Sequence, residues 1–159
     1  MRRLLLLALV SLPAALVVAP GANAAGFVFP SVSKNIGHKP KIGRSHGAAP
    51  KSLKLKDVVV GTGRTARTGD VVATHYVGVL YRGGKPFDDS WDRGQPFPFS
   101  LGGGQVIAGW DTGIQGMKVG GRRILVIPAR LAYGAQGSPP AIPAHAALIF
   151  VVDLVSVTG

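Results

Sequence analysis

A chain of 159 residues, 47% of them hydrophobic, is long enough to bury one core, and no internal repeat divides it. Its 18 lysines and arginines against 7 acids give a formal charge of +11, which falls to about +9 without Arg2 and Arg3. The absence of cysteine excludes a disulfide framework, a thiol nucleophile and a thiolate metal site, and the four histidines show no paired i, i+4 spacing, so no metal site is expected.

At the N-terminus, Arg2 and Arg3 precede an apolar run from Leu4 to Ala19, and Ala22-Asn23-Ala24 has the small-x-small pattern that a signal peptidase reads. Residues 1–24 are therefore expected to be a signal peptide cleaved after Ala24, which would place the protein in the periplasm, the cell envelope or the medium. The alternative is an uncleaved membrane anchor, against which Pro13 counts by interrupting the run. Residues 25–52 hold Pro30, Pro40 and Pro50 and the bases Lys34, Lys39, Lys41, Arg44 and Lys51 without a single acid, and they read as an extended basic linker. Such a stretch is either a solvated tail or a weak contact for an anionic surface. No zinc finger, basic helix or RNA-binding aromatic motif accompanies it, so no specific nucleic acid partner is expected.

The folded domain is expected over 53–159. A first strand runs through Leu53, Leu55 and Val58 to Val60, and a longer one from Val71 to Tyr81 sets Val72, Thr74, Tyr76, Gly78 and Leu80 on one face. A polar loop follows Phe87, and Phe97-Pro98-Phe99 reads as a short edge strand because its prolines donate no ladder hydrogen bond. Between Gln105 and Met117, Ile107, Trp110, Ile114 and Met117 recur at helical spacing. Gly109, Gly113 and Gly116 weaken that helix by about 1 kcal/mol each relative to alanine, so packing from outside has to hold it. Arg122 to Ile127 forms a further strand, Ala129 to His145 a long proline-rich loop, and Ala146 to Val157 the last strand. The fold class is α+β: a twisted antiparallel sheet, a half-barrel, wrapped around one short helix.

Val77-Gly-Val-Leu-Tyr81, Phe87-Asp88, Gly104-Gln-Val-Ile-Ala-Gly-Trp110, Gly113, Gly116-Met117, Ala132-Tyr-Gly134, Ile142-Pro143 and Phe150, in this order and spacing, resemble the FKBP-type peptidyl-prolyl cis-trans isomerases. The resemblance runs from about Leu53 to Val157 and implies an FKBP-like fold and an isomerase that acts on proline-containing polypeptides and needs no cofactor. It implies a site built from Asp88, Trp110, Tyr133 and Ile107, with Tyr76, Phe87, Arg93, Phe97, Val106, Ile142 and Phe150 completing a substrate pocket. In the family the tryptophan floors the pocket, the backbone N–H corresponding to Ile107 and the hydroxyl corresponding to Tyr133 bond the ligand, and the carboxylate corresponding to Asp88 lies beside the amide.

From the residues alone, Asp88 reads equally as a turn residue paired with Arg93, and Tyr133 as a tie for its own loop. Ser138 and Ala141 stand where the family often has histidine and isoleucine, and Gln105 replaces a common acid, which makes the rim smaller and affects substrate preference and macrolide binding. The leading expectation is a folding catalyst for exported proteins; the alternative is a peptide-binding or chaperone module of the same fold without useful turnover. A monomer is expected, since no heptad pattern or long apolar edge strand announces an interface.

Overall fold

The computed structural model describes residues 26–159. The signal peptide and cleavage site expected in 1–24 lie outside them. Six strands form one antiparallel sheet: β1 (Lys54–Val59), β2 (Val71–Leu80), β3 (Pro86–Asp89), β4 (Phe97–Ser100), β5 (Arg122–Ile127) and β6 (Leu148–Thr158). One helix, α1 (Ala108–Gly113), and a 3-10 turn at Ala129–Leu131 complete the regular structure. The spatial order is β1-β5-β6-β2-β3, with β4 also pairing to β2. This is the sheet wrapped on one short helix that the sequence leads one to expect. Among the described residues no helix is long and apolar enough to cross a membrane.

One face of the sheet, the concave one, carries Val72, Tyr76, Leu125, Ile127, Leu148, Phe150, Val152 and Leu154, all buried with Trp110, Ile114 and Met117. The helix is shorter than the periodicity suggests. Gly116, at φ 78°, ends its C-terminal turn, and on its N-terminal side Asp111 accepts hydrogen bonds from Gly102 N–H at 2.8 Å and Gly104 N–H at 2.9 Å, which hold that glycine turn against it. Its glycines are explained by packing. A Cβ on Gly113 would lie 2.8 Å from Leu125 Cδ2, and one on Gly109 would collide with the Ile127 side chain. The residues that weaken α1 as an isolated helix let its backbone settle directly on β5.

The polar loop expected after Phe87 begins later than the sequence suggests. Asp88 and Asp89 are the last residues of β3, paired across the ladder with Gly78 and Val77. Loop and turn residues begin at Ser90, whose buried hydroxyl accepts from the Tyr76 N–H at 2.8 Å.

The larger difference concerns residues 25–52, expected as a linker. Residues 27–50 are a strap folded back on the convex face of the sheet, its two arms joined by bridges between Val28 and His46 and between Val32 and Ile42. Phe27, Phe29, Val32, Ile42 and Ala49 pack on Val77, Val79, Tyr81, Ile124, Val126, Ile149 and Val151. Arg122 fixes the strap from below. Its fully buried guanidinium forms a two-pronged pair with Asp153 at 2.5 and 2.7 Å and donates to the carbonyls of Ser33 at 2.7 Å and His38 at 2.8 Å. The Tyr81 hydroxyl donates to His46 O at 3.0 Å, and Lys39 bridges Asp89 and Asp92 at 3.0 and 2.8 Å. Periodicity does not reveal such a segment, because its anchors are isolated side chains and backbone carbonyls and not a repeating apolar face.

Removing one member of a buried ion pair strands the other charge, at about 3–5 kcal/mol. Arg122→Met is therefore expected to lower unfolding stability by about that amount, read by urea denaturation, because it also frees two strap carbonyls. The Lys39 tie has its own pH signature. Burial pushes the Asp89 carboxyl up, but the Asp92 N–H and Lys39 outweigh it and hold it below its ordinary value, while the bonds to Asp92 and Asp89 raise Lys39. A depressed carboxyl stabilises above its unfolded pKa and loses that contribution as pH falls through the folded one. The thermal midpoint of the wild type should thus fall more steeply than that of Lys39→Gln below about pH 4, and the two curves should converge in acid.

Candidate functional site

The concave face does not close completely over α1. Between the helix, β2, β3, β4, β6 and the 129–145 loop lies a cavity of about 660 Å³ lined by Tyr76, Phe87, Asp88, Phe97, Val106, Ile107, Trp110, Tyr133, Ile142 and Phe150, with Gly104, Gln105, Ser138 and Ala141 at its margin. Trp110, 4% exposed, forms the floor. Tyr76 and Phe150 stand edge-on to it, with ring centroids 5.0 and 5.2 Å away, and Phe87 meets Phe150 at 5.5 Å. Edge-to-face contacts of this kind hold aromatic walls in place without filling the space between them.

Gly78 makes that wall possible. It lies opposite Phe150 on β6, and a Cβ there would come within 2.7 Å of Phe87 Cζ and 2.8 Å of Phe150 Cε1. The two rings lie over bare backbone.

The polar groups occupy one side. Asp88 accepts from the Tyr76 hydroxyl at 2.5 Å and from Arg93 Nη1 at 2.6 Å, while Arg93 Nη2 donates to the Tyr76 hydroxyl at 2.7 Å. Both carboxylate oxygens are thereby engaged. Burial, then the bond to Asp88, pushes the Tyr76 phenol up to about 12, so it remains a donor at any physiological pH. The Tyr133 phenol is raised as well, by burial and by the Asp88 charge. The turn-residue reading of Asp88 captures its pairing with Arg93 but misses its place at the cavity wall.

Arg93 is the one residue of the expected pocket that does not line the cavity. Its guanidinium lies 5.5 Å from the centroid of the Tyr76 ring and fixes Asp88 and the Tyr76 hydroxyl through its hydrogen bonds. Its short separation from Asp88 in sequence places it beside the carboxylate, where the ion pair holds it.

The buried Trp110 indole N–H has no partner among the described residues, and the Ile107 N–H and the Tyr133 hydroxyl are likewise uncommitted. The Ile107 N–H, just before α1, donates to no group among the described residues. Tyr133 is 42% exposed, and its loop is tied by its carbonyl, which accepts from Gly137 N–H at 3.1 Å, and not by its hydroxyl. Gly104 opens the motif run that carries the resemblance but is absent from the expected pocket, which it lines; its φ of 68° marks it as a turn glycine. Among the described residues no group of histidines and carboxylates could hold a metal ion.

A family model described as FKBP-type peptidyl-prolyl cis-trans isomerase matches residues 62–155. The chain belongs to this family. It is 52% identical over 120 residues to an FK506-binding protein of Streptomyces anulatus, covering 75% of this chain and 97% of that one. It is 50% identical over 106 residues to an FK506-binding protein of Neisseria meningitidis, covering 67% and 96%. The crystal structure of AtFKBP13 superposes with a TM-score of 0.63 at 40% identity, covering 68% of this chain and 94% of that one. That of FkpA from Escherichia coli gives 0.61 at 42% identity; the match covers 67% of this chain but only 48% of the FkpA chain. The FKBP-type resemblance of the sequence and the fold that it implies are therefore shown, and the strap precedes the region that the family model matches.

In this FKBP-type domain Gly78→Ala is expected to push Phe87 and Phe150 into the cavity. Overpacking of this kind costs about 1–3 kcal/mol. The expected outcome is a lowered thermal midpoint together with weakened binding of a Leu-Pro peptide, measured by titration calorimetry.

Proposed function

We propose that this chain, an FKBP-type isomerase by family, accelerates cis-trans isomerisation at X-Pro bonds of exported polypeptides by taking the twisted amide into the Trp110 cavity. The observation that carries the reading is an aromatic cavity in which the Ile107 N–H and the Tyr133 OH are uncommitted and face a carboxylate whose oxygens are already engaged. Rotation about a peptide bond breaks no σ bond. Its barrier of about 18–20 kcal/mol is the loss of amide resonance, and uncatalysed X-Pro exchange takes tens to hundreds of seconds.

A catalyst must bind the twisted form better than either planar one. The planar amide is the more polar, with negative charge on oxygen and positive charge on nitrogen, so removal of water by Trp110, Tyr76, Phe87 and Phe150 penalises it relative to the twisted state. The Ile107 N–H and Tyr133 hydroxyl hold the carbonyls flanking the bond, which leaves the prolyl ring to turn against Trp110. Asp88, fixed by Tyr76 and Arg93, acts as a stationary negative charge and not as a proton acceptor.

Export rests on residues 1–24 and their cleavage pattern. The alternative of an uncleaved anchor differs in location and not in chemistry. Macrolide binding is part of the proposal, because curated relatives are named for binding FK506. Ser138 and Ala141 at the margin favour a wider entrance and hence a bulky apolar residue before the proline.

The decisive measurement is the cis-to-trans rate of a Leu-Pro or Phe-Pro peptide with and without the protein and with rapamycin. Acceleration that rapamycin abolishes is the expected result; a folded protein that binds the peptide without accelerating it would instead make this a binding module. Trp110→Ala should lose both activity and about 3–5 kcal/mol of stability. Tyr133→Phe should lose activity while keeping the thermal midpoint, and Asp88→Ala should reduce turnover. An unchanged rate in Asp88→Ala would remove the carboxylate from the mechanism.

A further inference from the structure

The strap gives the convex face a charge pattern that the isomerase reading does not use. Every carboxylate on that face is consumed internally: Asp153 by Arg122, and Asp89 and Asp92 by Lys39. Lys34, Lys41 and Arg44 on the strap are exposed and enter no ion pair among the described residues. Lys54 and Lys56 of β1 join them. Their ladder partners Val126 and Ile124 belong to the convex core, and directly paired residues of an antiparallel ladder project to the same side. The alternate residues Leu55 and Asp57 pair with Leu125 and Arg123 and face the helix side. The result is an uncompensated cationic face opposite the one that holds the cavity.

Two apolar side chains on the strap accompany the bases. Val28 is 61% exposed and Ile36, at the turn between the two arms and flanked by Lys34 and Lys39, is 39% exposed. Cations beside exposed aliphatic groups fit an interface that is anionic at its surface and apolar just beneath. A soluble polyanion offers only the first.

We infer that the strap face is a docking surface for an anionic phospholipid bilayer, with Lys34, Lys41, Arg44, Lys54 and Lys56 against the headgroups and Ile36 entering the interface, and with the cavity turned away from the membrane. Attraction of this kind is screened within about a Debye length, roughly 10 Å at 0.1 M salt, so binding weakens as salt is raised.

The test is co-sedimentation of residues 25–159, which contain the whole of the described fold, with vesicles of mixed phosphatidylglycerol and phosphatidylcholine, with vesicles of phosphatidylcholine alone, and with inorganic polyphosphate in solution as competitor. Binding to the anionic vesicles only is expected. Loss of one cation near the surface lowers partitioning roughly fivefold. Lys34→Gln, Lys41→Gln and Arg44→Gln together should therefore lower it roughly a hundredfold, and Lys54→Gln with Lys56→Gln, on β1 and independent of the strap's own folding, roughly twenty-five-fold. Ile36→Ser should weaken vesicle binding roughly tenfold while leaving polyphosphate binding unchanged. All variants should keep the wild-type thermal midpoint. Equal partitioning on both kinds of vesicle, or indifference to the charge substitutions, would overturn the inference. Tight polyphosphate binding with an Ile36→Ser variant that behaves as wild type on vesicles would replace the bilayer by a soluble or wall-bound polyanion.

Discussion

The contact between α1 and β5 is the constraint on which the functional face depends. A helix of six residues with glycine at two positions has no independent stability, and it exists here because Gly109 and Gly113 let it lie against Ile127 and Leu125 at backbone distance. That depth sets the height of Trp110. A bulkier residue at either glycine would lift the helix from the sheet and carry the floor into the cavity. Gly78 does the same for the wall, so backbone surfaces shape both the floor and the side of the site.

The sheet divides the labour of the molecule. Its concave side holds the cavity, with an apolar floor and an engaged acid, and its convex side carries a second core covered by the strap. Arg122 and Asp153 join strap and sheet. Buried together they satisfy one another, and the remaining guanidinium N–H groups answer two carbonyls of a segment that has little sheet pairing of its own. Neutralising Asp153, Asp89 and Asp92 in this way also leaves the strap's outward lysines and arginine without counter-charges. The same pairs that hold the strap down make its outer surface cationic.

Much of this was legible in the sequence, for identifiable reasons. Alternation in Val71 to Tyr81 gave the face of Tyr76 correctly because strand side chains obey a strict period, and Arg122 to Ile127 is bounded as read because Gly120-Gly121 and Pro128 punctuate it. The residues of the expected site converge on one cavity, Arg93 excepted, because their order follows a family whose fold the chain shares. The helix came out shorter than its apolar spacing, since Ile107 and Met117 continue the spacing outside hydrogen-bonded helix. The strap's composition, rich in proline, glycine and lysine, is that of an extended basic linker. Its attachment depends on Arg122, Tyr81 and Asp89, residues far along the chain whose orientation toward the convex face is set only once the sheet has formed.

The sheet order also bears on when the fold can form. β6 is last in sequence yet lies between β5 and β2, and it carries Asp153, the partner that makes Arg122 tolerable in the interior. Until residues 148–158 are available, β1 with β5 and β2 with β3 and β4 are separate ribbons, and the strap has no completed surface on which to lie. For a chain threaded through a membrane from its N-terminus, this order would postpone consolidation until the final strand had crossed, so the polypeptide would stay slack for the whole of its passage.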